Sequence, residues 1–319
     1  MVQGSWVLHV GWQKTGSTWL QKSVFPRLPD VEFIGKRYPM RAEDWSLQLF
    51  NTIHFVDDLE FSADRIAEVV RAHTAHVPLS KVRVLSGEGL VGNPWHAGFD
   101  SKRNADRLQA IFGPAKILFT VRNQGDMLES LYKQYLLEGG TCRFETLLST
   151  RSQHADFRME HLQYPRLIRY YESLFGADQV RVIPYELLVN EPQQFVDLIC
   201  EFIGVDRWTL NESQRGYVRR GFSPNLCRYM RYINYVAKSN FNPAGFFGQR
   251  PSANWPRVKQ ALHPYTWATT IADWEERLGR RRELLAPEQR HRIQDYYRAG
   301  NQQLQPYVPY DLGAFGYPM

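Results

Sequence analysis

The sequence predicts an α/β protein, three α/β/α layers around a mostly parallel central sheet, followed by a helical and loop-rich C-terminal part. Three observations predict it: short apolar runs recur over the first two hundred residues, amphipathic stretches alternate with them, and the alternation stops after Asn211. Short apolar runs between turn residues are strands buried on both faces, and strands separated by helices form parallel pairs.

The runs at 6–10, 31–34, 82–85, 116–121 and 180–184 read as the strands. Apolar recurrence at three and four residues predicts helices over 16–25, 42–53, 58–73, 126–137, 165–175 and 192–203. Beyond them, 225–237 carries Leu226, Tyr229, Met230 and Ile233 on one stripe and reads as a helix. The stretch 239–264, rich in Gly, Pro, Asn and aromatics, reads as a loop or lid, and a last helix is predicted over about 287–302. No internal repeat or low-complexity linker interrupts the chain, so one domain is expected over 1–319, with a core over about 5–210 and a basic helical or lid segment over about 213–272.

The 319 residues are 43% hydrophobic and 14% aromatic, ample for a packed core. A net charge of +6 is too mild for a dedicated nucleic-acid binder, so no nucleic-acid partner is expected. The charge is nevertheless uneven. Between Ser213 and Ala272 there is no Asp or Glu, while Arg215, Arg219, Arg220, Arg228, Arg231, Lys238, Arg250, Arg257 and Lys259 are all cationic. Such a segment suits a phosphate-bearing cofactor, an acidic glycan or peripheral contact with an anionic membrane, and equally a solvated basic face. Cys142, Cys200 and Cys227 are too scattered for a disulfide framework or a zinc site, which fits a reducing, cytoplasmic location. Neither a signal peptide nor a membrane span is read from the chain.

The first strand runs into Gly11-Trp12-Gln13-Lys14-Thr15-Gly16-Ser17-Thr18-Trp19, a strand–loop–helix cradle in which small residues let phosphate approach backbone N–H groups. Against the triphosphate pattern G-x-x-x-x-G-K-[ST], it keeps Gly11, Gly16 and Thr18 but has Ser17 in place of the lysine. Its own cation, Lys14, lies inside the loop, where it can neutralise charge growing on a leaving oxygen. A second anion grip is expected where the strand 116–121 ends in Arg122-Asn123, with Ser130 on the following helix. A magnesium-dependent enzyme would commonly place an aspartate at such a strand end, so no metal is expected here. Arg122 could also pair with Asp126 or Glu129, and Ser130 could be an ordinary helix residue.

Lys14-Thr15-Gly16-Ser17-Thr18-Trp19 after a first strand resembles the 5′-phosphosulfate loop of the PAPS-dependent sulfotransferases, a P-loop-like fold. Arg122 with Ser130 is similar to that family's 3′-phosphate motif. Tyr185-Glu186, followed by Pro192, is similar to a segment whose tyrosine would contact the adenine, and Arg219-Arg220-Gly221 resembles a late R-K-G element, with Arg220 in place of the lysine. The resemblance implies a sulfotransferase that takes the sulfuryl group from 3′-phosphoadenosine 5′-phosphosulfate (PAPS), releases adenosine 3′,5′-bisphosphate (PAP), and needs no metal. The cofactor would be held by residues 14–19, Arg122, Ser130, Tyr185 and residues 219–221.

An acceptor hydroxyl must lose a proton, and the best candidate base is Glu88, just past the strand 82–85, where ligands of open α/β sheets bind. The family uses histidine in some branches and glutamate in others. Glu88 could instead cap a turn or pair with an arginine. His9 reads as a packed strand residue, and His54 and His96 carry no supporting pattern. Lys36, after the second strand, is a candidate second cation near sulfuryl group or acceptor, or simply exposed. Aromatics over 241–267, among them Phe246, Phe247, Trp255, Tyr265 and Trp267, suit stacking on sugar rings, so a glycan or glycolipid acceptor is expected. The alternatives are a P-loop small-molecule kinase and a non-catalytic binder of acidic glycans or membranes. Oligomeric state is not legible.

Overall fold

The structure, a computed structural model, describes residues 2, 4–35, 44–149, 157–215, 223–239, 241–248, 250, 256–280 and 283–319. They fall into two compact units, one of residues 1–123, 158–218 and 297–319, the other of residues 124–157 and 219–296.

The first unit holds five strands: β1 (Trp6–His9), β2 (Val31–Gly35), β3 (Val82–Ser86), β4 (Lys116–Val121) and β5 (Val180–Pro184). They lie in the order β2-β3-β1-β4-β5, every pair parallel. Register places His9 beside Ser86 of β3 on one side and Leu118 of β4 on the other. From β1 the chain passes toward β2, whereas from β4 it passes to β5, so the connections diverge at the β1/β4 boundary. A crevice at the C-terminal strand ends is expected there.

Alternation along the strands divides the core. Val7, Val84, Leu118 and Ile183 face one side, where they cluster with Trp19, Leu20, Val24 and Phe25, and with Phe195, Val196 and Ile199 of the helix Pro192–Ile203. On the other side Trp6 meets Phe112 with ring centroids 4.7 Å apart, and Phe119 meets Tyr171 at 5.1 Å. These rings bring in the helices Ser101–Phe112 and Tyr164–Phe175, completing three layers. Burying each such side chain contributes roughly 1.5–3 kcal/mol, which fixes the sheet and therefore the loops that leave it.

The second unit is helical. Gln124–Leu137, Pro224–Val236 and Pro264–Arg277 are its longer helices, and buried Asn234 ties the first to the second by donating to the carbonyls of Leu136 and Gly140 at 2.8 and 2.7 Å. Tyr229 reaches Glu275 at 3.0 Å, linking the second to the third. Within the stretch expected to be a loop or lid, the described residues carry short ordered elements. A two-residue ladder pairs Ala237–Lys238 with Phe247–Gly248, a short helix spans Arg257–Leu262, and His263 caps the helix behind it by accepting from the Tyr265 N–H at 3.1 Å.

His9 is buried and His161 half-buried, both within the first unit, and loss of water around the rings pushes their pKa values down to about 3 and about 4 from 6.5. As pH falls below 6.5 the unfolded chain takes up these protons while the folded chain does not, so stability is present above that pH and declines below it. Each group steepens the decline by about 1.4 kcal/mol per pH unit until its folded pKa is reached. The urea midpoint should therefore drop between pH 7 and pH 5; an unchanged midpoint would contradict this.

Candidate active site

The loop after β1 is held in a backbone form that few side chains adopt. Lys14 has φ 66° and Gly16 φ 87°, while Thr15 between them keeps a negative φ. Alternating hands turn successive N–H groups toward one side, the geometry of an anion nest. For Lys14 the left-handed form costs about 1–2 kcal/mol. Three bonds hold it there: the Thr15 hydroxyl donates to the Trp12 carbonyl at 2.6 Å, Thr15 and Thr120 hydroxyls meet at 2.7 Å, and Arg122 Nη1 donates to the Lys14 carbonyl at 3.2 Å.

Behind the loop the chain is helical but not uniformly so. One α-turn over Ser17–Trp19 widens into a π-helix over Leu20–Val24 and closes with a 3₁₀ turn over Phe25–Arg27. Trp19 is core: its ring is buried and its Nε1 donates to the Gln214 carbonyl at 3.1 Å. Ser17 is buried too, and among the described residues its hydroxyl meets no hydrogen-bond partner. An orphaned buried hydroxyl at the head of such a loop fits a phosphate oxygen as its missing partner. Gly16 fits a close approach as well, since a Cβ there would lie 2.6 Å from Leu188 Cδ2 and 3.4 Å from Tyr185 Cδ2.

The structure brings several of the expected residues together around this loop. Arg122 lies over the Tyr185 ring, 4.8 Å from its centroid, while holding the Lys14 carbonyl. Its backbone is fixed in turn, because Tyr164 donates to the Arg122 carbonyl at 2.6 Å and the Asn123 N–H donates to Glu186 at 2.8 Å. Burial raises the Glu186 pKa, a trend opposed by the bonds it accepts from Asn123 and Tyr317. Glu88 reaches the loop as well: it accepts from the Thr18 hydroxyl at 3.1 Å and opens the 3₁₀ turn Glu88–Val91 after β3.

Ser130 lies half-buried on the helix Gln124–Leu137 in the second unit. Lys36, Arg219, Arg220, Gly221 and Trp255 lie outside the described residues. Among the described residues no group of three His, Cys, Asp or Glu side chains is placed to hold a metal ion, and no helix is long and apolar enough to cross a membrane. Gln13, which sequence reasoning passed over, donates to the Gly92 carbonyl at 3.2 Å and pins the loop to the segment after Glu88.

A family model described as "Sulfotransferase family" matches residues 7–209, more than half of the chain. The chain belongs to the sulfotransferase family. The matched stretch contains all but the first residue of β1, the strands β2 to β5, the loop, Glu88, Arg122 and Tyr185. Among solved structures, a sulfotransferase from Alicyclobacillus acidocaldarius aligns over 99% of this chain and 100% of its own at 15% identity, with a TM-score of 0.55. That likeness shows the fold. A mouse sulfotransferase complexed with PAP aligns over 96% of this chain and 86% of its own at 13% identity, with a TM-score of 0.41. A comparison with curated proteins finds no match. Family membership makes the protein a sulfotransferase and sets the kinase and the non-catalytic binder aside.

Proposed function

We propose that this sulfotransferase moves a sulfuryl group from PAPS directly to an acceptor hydroxyl, with Glu88 as the base and Lys14 as the cation at the leaving oxygen. The observation that carries the reading is the Thr18–Glu88 contact of 3.1 Å, which puts a carboxylate against the residue that ends the phosphate loop. In the transfer, the acceptor oxygen bonds to sulfur as the bond from sulfur to the phosphate's bridging oxygen breaks. The acceptor proton passes to Glu88, and the charge left on the bridging oxygen falls beside Lys14. No covalent enzyme intermediate is required.

The N–H groups of residues 14–18 and the Ser17 hydroxyl would hold the 5′-phosphate, and Arg122 the 3′-phosphate, with Ser130 and residues 219–221 as further cofactor contacts. Tyr185, already paired with Arg122, would lie against the adenine. Lys36 would add a second cation on the acceptor side. In this reading the two units serve one sulfotransferase domain in the cytoplasm.

The acceptor in this proposal is a glycan or glycolipid. Phe246, Trp267 and Trp274 of the second unit are 90%, 59% and 57% exposed, and exposed aromatic faces suit sugar rings. Exposed Arg257 and Lys259, with Val258 and Leu262 between and beside them, support peripheral contact with an anionic membrane. A labelled-PAPS assay over glycans, glycolipids, phenols and peptides tests this directly. Label should appear on a glycan or glycolipid; transfer to phenols or peptides alone would overturn the acceptor class.

A further inference from the structure

His9 ends β1 immediately beneath the phosphate loop and is fully buried, yet every polar atom of its ring meets a hydroxyl. Nδ1 lies 2.7 Å from Ser86 Oγ in β3, and Nε2 lies 3.4 Å from Thr120 Oγ1 in β4. The loop rests on this ring: a Cβ on Gly11 would stand 2.8 Å from His9 Nε2 and 2.6 Å from Thr120 Oγ1.

The contacts form a chain whose direction is fixed by its two ends. At one end Gln21 Nε2, which can only donate, gives a hydrogen bond to Ser86 Oγ at 3.1 Å and to the Ser86 carbonyl at 3.3 Å. At the other end the Thr15 hydroxyl gives its proton to the Trp12 carbonyl at 2.6 Å, so the proton between Thr15 and Thr120, 2.7 Å apart, belongs to Thr120. Thr120 therefore accepts from His9 Nε2–H. Nδ1 is then left to accept from Ser86, which has one proton to give. The opposite tautomer would turn the Thr120 proton toward His9 and leave two hydroxyl oxygens facing each other with none between them. One neutral tautomer satisfies the whole chain: Gln21 to Ser86 to His9 to Thr120 to Thr15 to Trp12.

We propose that His9, as the neutral Nε2–H tautomer, is a positioning residue that locks the phosphate loop to the end of β3, from which Glu88 follows two residues later. The chain crosses three strands and passes through Thr15, between the two left-handed residues Lys14 and Gly16, to the Trp12 carbonyl. It touches neither donor nor acceptor; it acts by holding the loop's N–H groups in the form that receives phosphate. This rests on the sulfotransfer reading of the loop above.

PAP is the probe. With folding verified by circular dichroism, His9→Leu should weaken PAP binding about tenfold in calorimetry, the worth of roughly one hydrogen bond, and His9→Gln, which can both accept and donate, should recover most of it. Adding Ser86→Ala to His9→Leu should cost little more, because the two act through one chain. Should His9→Leu fail to fold, Thr120→Val carries the test and should weaken PAP by a similar factor. Wild-type PAP affinity in a folded His9→Leu or Thr120→Val protein would overturn the proposal, as would multiplying effects in the double variant. Nitrogen NMR of the His9 ring needs no ligand: an Nε2–H signal at pH 7 is expected, and an Nδ1–H tautomer or imidazolium would overturn it. Wild-type protein that binds no PAP but shows the expected tautomer would locate the failure in the sulfotransfer reading instead.

Discussion

Glu88→Gln should lower kcat by about 10²- to 10⁴-fold while leaving PAP affinity within about threefold of wild type. Glutamine keeps the size of the side chain and an oxygen that can accept from Thr18, so the contact of 3.1 Å and the turn it opens should survive. What it loses is the ability to take a proton. The Thr18 hydroxyl has one proton to give, and in the free protein it gives it to Glu88. When that hydroxyl turns to the donor's phosphate, the carboxylate oxygen is freed to accept from the acceptor hydroxyl instead. Single-turnover rates and calorimetry separate the two quantities. Wild-type turnover in Glu88→Gln would remove Glu88 as the base.

Lys14→Ala should lower kcat by about 10²- to 10³-fold, the size of effect seen when one group aimed at developing charge is removed. Both residues bear the same strain at φ 66°, and the bond from Arg122 goes to the backbone carbonyl at this position, so loop geometry should persist. The charge at the bridging oxygen is greatest in the transition state, so kcat should fall more than the KM for PAPS rises. A raised KM with unchanged kcat would mean that Lys14 only binds the donor.

Much of this was legible in the sequence because the signals are local. All five strands stand where apolar runs place them, and β4 and β5 match residue for residue. The loop and the strand-end arginine were readable because each motif is contiguous, and Glu88 because it follows a strand. The helix Ser101–Phe112 is harder to read, because its first turn is polar and charged and its stripe of Ala105, Leu108, Ile111 and Phe112 starts only in the second. The helix Pro264–Arg277 was hidden in a similar way. Its Trp267, Ile271 and Trp274 form an exposed stripe at helical spacing, yet a tract rich in aromatics and proline reads as lid. The bonding around His9 had no sequence signal at all. Its partners lie 77 and 111 residues away and meet only because the sheet order sets β1 between β3 and β4.

A crystal soaked with PAP puts the donor site to its most direct test. The 5′-phosphate should rest on the N–H groups of residues 14–18 with the Ser17 hydroxyl as a partner, the 3′-phosphate on Arg122, and the adenine against Tyr185. PAP bound away from the loop, or its 5′-phosphate out of reach of Lys14 and Ser17, would contradict it.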